Sequence, residues 1–309
     1  MIIKQQTKPP QLNLLEHLIV RHSSLDDSDH SEYERIQKGF LGEIEFAQFL
    51  QQLPDEWLLF HDLLLEKDKS VFQIDSLVIS PEKIYLFEVK NYEGDFIFSQ
   101  DRFYSINNLE IQNPLDQVKR SETFLRQWFQ KNKLHHPPIT SYVIFINPQF
   151  YLYHSHQNSS AFIFYSQLER LLTKIQKQTK TMASFHTKLS KQLLASHLDD
   201  NPYTRLPEYQ YEELNKGIVC KGCRSLNTFF KGKSIHCTNC LTKEKLNQAV
   251  IRTTHEFMLL FPDKKVTTYA IWDWCNIANT SKRSIRQILT THLQRVDQTN
   301  NSYFIKPSL

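Results

Sequence analysis

Long hydrophobic runs are absent from this sequence of 309 residues. No stretch approaches the length of about 18 apolar residues that a membrane-spanning helix needs. Residues 1–10 are polar and lack the apolar centre of a secretory signal peptide. Glycine is scarce, with six residues, and no internal repeat is evident. These absences predict a soluble, cytoplasmic protein without a membrane partner.

The composition is that of a globular protein with an uneven charge distribution. Hydrophobic residues make up 40% of the chain and aromatic residues 12%, which allows at least one sizeable core and two or three domains. Residues 204–309 hold 16 Lys and Arg against 8 Asp and Glu, whereas residues 1–203 hold 21 against 25. A basic region of this kind indicates a polyanionic partner. The alternative is an ordinary basic surface.

Two neighbouring strands carry the most informative polar residues. Residues 71–79 and 83–90 are rich in β-branched and aromatic side chains and are separated by a short turn. Glu88 and Lys90 point to the same face because side chains alternate along a strand. If the two strands pair antiparallel, Asp75 approaches Glu88 at the end opposite the turn.

Two acids and a lysine in this arrangement favour hydrolysis of phosphodiester bonds. Converging carboxylates repel each other, and a divalent cation that prefers oxygen ligands, such as Mg²⁺, relieves the repulsion. A lysine beside the cation orients or deprotonates an attacking water and offsets charge on a pentavalent phosphorane. The alternative is a solvated charge pair on an edge strand, but the surrounding residues are apolar, where unpaired charge is costly.

Four motifs occur together within residues 30–150. They are Gly39-x-x-Gly42-Glu43, Ile74-Asp75, Glu88-Val89-Lys90-Asn91-Tyr92-x-Gly94 and Asn113-Pro114-Leu115-x-Gln117. In this order they resemble the nuclease-related domain (NERD) family, a branch of the PD-(D/E)XK nuclease superfamily. The proline that gives the superfamily its name is replaced by Ile74.

The resemblance implies a role for each residue of the strand pair. Asp75 and Glu88 would be ligands of Mg²⁺ or Mn²⁺, with the carbonyl oxygen of Val89 as a third ligand. Lys90 would activate the attacking water or stabilise the transition state.

The resemblance also implies two contributions from helices. Glu43 would reach the site from the first helix of the domain, through a second metal or a water, and Gln117 would orient the phosphate or the catalytic lysine. The alternative for Glu43 is an exposed acid in a first helical turn, favoured by the helix dipole. For Gln117 it is a surface residue of a helix.

Four cysteines form two Cys-x-x-Cys pairs with thirteen residues between them: Cys220, Cys223, Cys237 and Cys240. Four thiolates at this spacing suit one tetrahedral Zn²⁺. Disulfides or a redox pair are the alternatives, and a chain without an export signal argues against them. Because four cysteines leave no open position, the zinc is expected to be structural. The fifth cysteine, Cys275, is expected to be a small buried hydrophobe.

The C-terminal region is expected to contain helices near 247–260, 267–276 and 281–293, followed by the edge of a β-wing at 300–306. Ser281 is a candidate N-cap for the last helix. This order resembles a winged helix-turn-helix with 281–293 as the recognition helix in a DNA major groove. A basic, solvated helix in a small bundle is the alternative. The candidate nucleic-acid contacts are Lys282, Arg283, Arg286 and Gln287.

The predicted fold is α/β, with a restriction-endonuclease-like mixed sheet flanked by helices, a small zinc ribbon and a helical, winged-helix-like C-terminal domain. The predicted segments are an N-terminal lead (1–29), the nuclease-like domain (30–198), a linker (199–216), the ribbon (217–243) and the winged helix (244–309). The predicted function is a metal-dependent nuclease that acts on DNA, with RNA as an alternative substrate. The competing hypotheses are a non-catalytic DNA-binding or regulatory protein and a zinc-dependent interaction scaffold.

Overall fold

The computed structural model describes residues 1–22, 25–153, 159–203, 206–278, 280–297 and 302–307. The chain divides into two compact units: unit 1 is Met1–Pro9 with Glu34–Thr204, and unit 2 is Pro10–Tyr33 with Arg205–Leu309. Residues 204–205 of the predicted linker and 300–301 of the predicted wing lie outside the described residues. The boundaries of the five predicted segments stay a prediction.

Among the described residues, seven strands and three helices precede the loop at residue 132, in the order β1 (Ile2–Lys4), α1 (Pro10–Arg21), α2 (Asp27–Leu50), β2 (Leu58–Lys67), β3 (Ser70–Ile79), β4 (Ile84–Lys90), β5 (Gly94–Ser99), β6 (Arg102–Ser105), β7 (Glu110–Ile111) and α3 (Pro114–Lys131). The next elements are β8 (Ile139–Phe145), β9 (Phe150–Tyr153), β10 (Phe162–Phe164), α4 (Leu168–Gln176) and α5 (Ser184–Ala195). The C-terminal elements are β11 (Thr228–Lys231), β12 (Ser234–Cys237), β13 (Lys243–Lys245), α6 (Leu246–Leu260), α7 (Thr268–Cys275), α8 (Lys282–His292), β14 (Gln294–Val296) and β15 (Tyr303–Ile305).

Unit 1 is built on a mixed sheet of six strands in the order β1-β2-β3-β4-β8-β10. Strands β2, β3 and β4 pair antiparallel, whereas β8 is parallel to both β4 and β10, and β1 is parallel to β2. A second sheet has the order β7-β6-β5-β9. The predicted α/β fold with a mixed sheet flanked by helices is confirmed. No helix among the described residues is long and apolar enough to span a membrane.

Helices cover both faces of the six-stranded sheet. On one face, Leu86 of β4 belongs to the same buried cluster as Leu125 of α3. On the other face, Phe87 of β4 meets Phe46 of α2, with ring centroids 5.1 Å apart. The alternation along β4 therefore follows the predicted period of two and directs neighbouring residues into two separate cores.

Strands β2 and β3 break this alternation at matching positions. Ile74 and Leu77 lie in the same buried cluster although they are three residues apart, and so do Phe60 and Leu63. Asp62, which lies within the break in β2, has a φ angle of 54°. A regular strand would have sent the members of each pair to opposite faces. The sequence pattern did not predict this irregularity.

Unit 2 contains a three-stranded antiparallel sheet, β11-β12-β13, and the helices α6, α7 and α8. The helix bounds differ from the predicted ones by one residue at most. Ser281 is the N-cap of α8, since its side chain accepts a hydrogen bond from the N–H of Ser284, as predicted. Strands β14 and β15 pair antiparallel, and Val266 forms a bridge with Phe304 of β15.

Candidate active site

The candidate site begins where β3 and β4 separate. Their ladder ends at the pair Ser76–Phe87, one residue before Asp75 and Glu88. Beyond this pair, Oδ2 of Asp75 accepts a hydrogen bond of 2.7 Å from the N–H of Val89. The Asp75 carboxylate thus satisfies a backbone donor of β4 that β3 no longer pairs with. The two predicted acids lie together at the fork between the strands.

Glu88 and Lys90 form an ion pair on one side of β4. The Nζ atom of Lys90 donates to Oε1 of Glu88 at 2.8 Å, and the two side chains are 16% and 11% exposed. Burial opposes the charged form of Lys90, but the negative charges of Glu88 and Asp75 raise its pKa. Lys90 is therefore an ammonium group at neutral pH.

Burial and mutual repulsion raise the pKa values of two carboxyl groups of the site. Burial is the largest cause that raises the pKa of Asp75 well above 3.8, and the charges of Glu88 and Glu43 add to it. Burial and the charge of Asp62 raise the pKa of Glu43 to about 7. Acids in this state are stabilised by a proton or by a cation.

Gly42 allows α2 to bring Glu43 to the strands. A Cβ atom at Gly42 would lie 2.7 Å from the Cβ of Asn91 and 3.0 Å from Cγ2 of Ile146. Asn91 itself donates from Nδ2 to the carbonyl oxygen of Lys38 at 2.8 Å. The glycine and the asparagine of the two motifs are therefore partners in one close contact between α2 and the segment after β4.

A fourth acid, Asp62, belongs to this region and was missed by the sequence analysis. It lies between the pairs His61–Ser76 and Leu63–Ile74 of β2 and β3, which places it across from Asp75. The signal that could have revealed it is the polar dipeptide His61-Asp62 within an otherwise apolar strand. Two polar residues rarely interrupt such a strand without a partner.

Gln117 lies in the first turn of α3, whose N-cap Asn113 accepts a hydrogen bond from the N–H of Leu115 at 3.0 Å. The Oε1 atom of Gln117 is buried and has no hydrogen-bond partner among the described residues. A buried acceptor without a donor costs about 1–3 kcal/mol. Over the same residues, Gln117 has no hydrogen bond to Asp75, Glu88 or Lys90, so its predicted role stays a prediction.

The four cysteines of the two Cys-x-x-Cys pairs converge in unit 2. Their sulfur atoms all lie within 4.8 Å of one another, and the Cys220–Cys240 and Cys223–Cys237 sulfurs are 3.5 Å apart. Thiolates around a tetrahedral zinc ion lie about 3.8 Å apart. In the described part of the chain, no group of three carboxylates reaches the same 4.8 Å spacing. The cysteines could hold one Zn²⁺.

Backbone N–H groups support two of these sulfurs. The N–H of Gly222 donates to Sγ of Cys220, and the N–H of Asn239 donates to Sγ of Cys237, both at 3.3 Å. Such bonds stabilise thiolates, which is the form that binds a metal. Cys275 is 1% exposed, which confirms that it is buried.

The predicted nucleic-acid contacts lie on α8. Ile285 and Leu289 of this helix are buried. The Nζ atom of Lys282 lies 4.7 Å from the ring centroid of Tyr269 and 4.8 Å from that of Trp272, both on α7. All four candidate contacts, Lys282, Arg283, Arg286 and Gln287, are exposed.

Residues 38–146 match the family model described as the nuclease-related domain, NERD. This segment is similar to nuclease-related domains. The match includes all five predicted active-site residues and covers about a third of the chain. The matched segment thus contains the fork between β3 and β4, Glu43 on α2 and Gln117 on α3.

Comparisons with curated proteins and with solved structures do not extend the match to the nuclease-related domain family. No curated protein matches the chain. The chain is similar to the crystal structure of protein VC1899 from Vibrio cholerae, with 10% identity, a TM-score of 0.24 and coverage of 60% of this chain. The similarity spans 43% of that protein's length, less than half of it, and at this TM-score it carries no argument about fold or function.

Proposed function

We propose that the protein is a metal-dependent nuclease that hydrolyses DNA phosphodiester bonds. The observation that carries this proposal is the convergence of Asp75, Glu88 and Lys90 at the fork between β3 and β4, within a nuclease-related domain. Buried acids that repel each other destabilise a fold, and such groups cluster at functional sites.

Asp75 and Glu88 would hold Mg²⁺ or Mn²⁺. Both offer oxygen ligands. Burial and the charge of Glu88 raise the pKa of Asp75, and a bound cation would oppose this rise. One oxygen of each carboxylate, Oδ1 of Asp75 and Oε2 of Glu88, stays outside the hydrogen bonds with Val89 and Lys90. When bound, the cation would supply positive charge to the phosphate and lower the pKa of a water molecule.

The surrounding side chains have distinct proposed roles. Lys90 is protonated, so it would stabilise negative charge on the phosphorane rather than deprotonate the water. Glu43, with a pKa of about 7, is suited to accept a proton near neutral pH. Gln117 would orient the phosphate through its Nε2 donor or Lys90 through its unpaired Oε1 acceptor.

The test is a cleavage assay on plasmid and linear DNA with Mg²⁺ or Mn²⁺. Asp75→Ala and Lys90→Ala should each abolish cleavage. Lys83→Ala is the matched control, because Lys83 is an exposed lysine at the turn end of the same hairpin, and it should cleave like the wild type. Cleavage that survives both site substitutions would refute the proposed site. Binding without cleavage by every variant would favour a non-catalytic DNA-binding protein.

Unit 2 would dock the DNA. The order α6, Val266, α7, α8, β14, β15 supports a winged helix, with α8 as the recognition helix. Its exposed basic face supports contact with phosphates. A structural Zn²⁺ on the four cysteines would stabilise the small sheet β11-β12-β13, which has little core of its own.

A double substitution tests the docking role. Arg283→Ala with Arg286→Ala should weaken DNA binding and reduce the salt slope of log K by about 2. Lys188→Ala with Lys191→Ala removes the same charge from exposed positions of α5 and should bind like the wild type. Equal affinities of both double variants would reject α8 as the recognition helix.

A further inference from the structure

The first nine residues contact the active-site region although they lie outside the segment that matches the nuclease-related domain. Strand β1 pairs parallel with β2, with Ile2 opposite Leu59 and Lys4 opposite Phe60. The N-terminal amine donates to the carbonyl oxygens of Asp55 and Trp57. Strand β1 is therefore an edge strand of the six-stranded sheet and lies against β2, next to the break in that strand.

Residues of this segment donate to two acids of the region. Nε2 of Gln6 donates to Oε2 of Glu43 at 2.6 Å. Oδ2 of Asp62 accepts from Nζ of Lys4 at 3.3 Å and from Oγ1 of Thr7 at 2.6 Å. Lys4 is buried and carries the charge that balances Asp62.

Glu43 needs a fixed donor because its surroundings are unfavourable to a carboxylate. Burial disfavours its charged form, and the charges of Asp62 and Glu88 add repulsion. The hydrogen bond from Gln6 is the contact that opposes these effects directly, and it lowers the pKa of Glu43 where burial raises it. Oε1 of Gln6 is itself buried and has no hydrogen-bond partner among the described residues. The side-chain amide of Gln6 therefore acts as a hydrogen-bond donor to Glu43.

We propose that Gln6 is a positioning residue, which fixes the orientation of the Glu43 carboxylate in the active-site region through the hydrogen bond from its Nε2 atom. This inference rests on the proposed nuclease function. It makes residues 1–9 part of the catalytic apparatus. Gln6 acts through Glu43 and touches neither the DNA nor the cation.

The experiment compares Gln6→Met, which keeps the length of the side chain and removes the N–H donor, with Gln5→Met at the exposed neighbouring position. Both are made in the wild type and in a Glu43→Gln background, all loaded with Zn²⁺. Two quantities are measured: kcat and KM for DNA cleavage with Mn²⁺, and the Mn²⁺ dissociation constant by electron paramagnetic resonance. Hydrogen exchange of β2 and β4 verifies that each variant is folded.

Gln6→Met should lower kcat by about 10- to 100-fold and weaken Mn²⁺ binding by about tenfold, with KM for DNA within about twofold of the wild type. Gln5→Met should change neither quantity. In the Glu43→Gln background, Gln6→Met should have no further effect, since residues that act through one another are not additive. A merely structural role would instead give the same loss in both backgrounds, which would overturn the inference.

The two proposals can fail separately. If the wild type binds Mn²⁺ but cleaves no nucleic acid, the nuclease function is refuted, and Gln6 is judged by the Mn²⁺ affinities alone. Equal dissociation constants for the wild type and Gln6→Met would then overturn the positioning role. If the wild type cleaves DNA and Gln6→Met cleaves with an unchanged kcat, the nuclease function stands and the positioning role is refuted.

Discussion

Replacing Glu43 by Gln should stabilise unit 1 in the absence of a divalent cation. Burial disfavours the charged form of the Glu43 carboxylate, and repulsion from Asp62 and Glu88 adds to this effect. An amide of the same shape carries no charge to be buried, and it still forms a hydrogen bond with Gln6. The substitution therefore removes an unfavourable charge from the fold and should also impair catalysis.

The pKa of Glu43 gives the magnitude and the sign. It rises from 4.5 to about 7, so the folded chain binds this proton more tightly than the unfolded chain does. Its contribution to stability is complete below pH 4.5 and is lost as the pH rises to about 7. At about 1.36 kcal/mol per pH unit, the loss is about 3 kcal/mol. Glu43→Gln should match the wild type near pH 4.5 and exceed it by about 3 kcal/mol at pH 8.

The assay is urea unfolding of the zinc-loaded protein in buffers without Mg²⁺ or Mn²⁺. Unfolding is monitored by the hydrogen exchange of peptides from β3 and β4. Glu45→Gln is the matched control, because Glu45 is an exposed acid two residues further along α2. It should behave like the wild type at every pH. Millimolar Mg²⁺ should reduce the difference by stabilising the wild type. Equal stabilities of the wild type and Glu43→Gln at pH 8 would refute the reasoning.

Other substitutions probe the cation site, the cysteine cluster and the core of unit 2. Asp75→Asn should remove the rise in unfolding midpoint that Mg²⁺ gives the wild type; a persistent rise in thermal denaturation would place the cation elsewhere. Cys237→Ser should lower the zinc content measured by atomic absorption and increase hydrogen exchange in β11–β13, whereas full zinc occupancy would contradict the four-cysteine site. Arg21→Met should cost about 3–5 kcal/mol in urea unfolding followed by Trp274 fluorescence, because it removes the buried partner of Glu256. Glu256 has a pKa of about 2 despite burial, so the wild type should lose this stabilisation as the pH falls from 4.5 towards 2. A cost below about 1 kcal/mol would contradict the ion pair's role.

The sequence determined the features that neighbouring residues encode. The strand period of two placed Glu88 and Lys90 on one face, where they form an ion pair. The capping chemistry of Ser281 located the start of α8. The spacing of two Cys-x-x-Cys pairs identified four sulfurs that converge. In each case the residues involved lie close together in the sequence, so the pattern can be recognised from the sequence alone.

The tertiary structure decided which distant segments meet. The N-terminal lead gave no motif, yet β1 brings Gln6 to Glu43 and Lys4 to Asp62. The break in the alternation of β2 and β3 is equally invisible in a regular pattern, although it places Asp62 across from Asp75. Pairing between remote strands and the local irregularities that it stabilises depend on the whole set of packed neighbours. For this reason Glu43, Asp75 and Glu88 could be recognised from the sequence, whereas Asp62 and the N-terminal donors Lys4 and Gln6 could not.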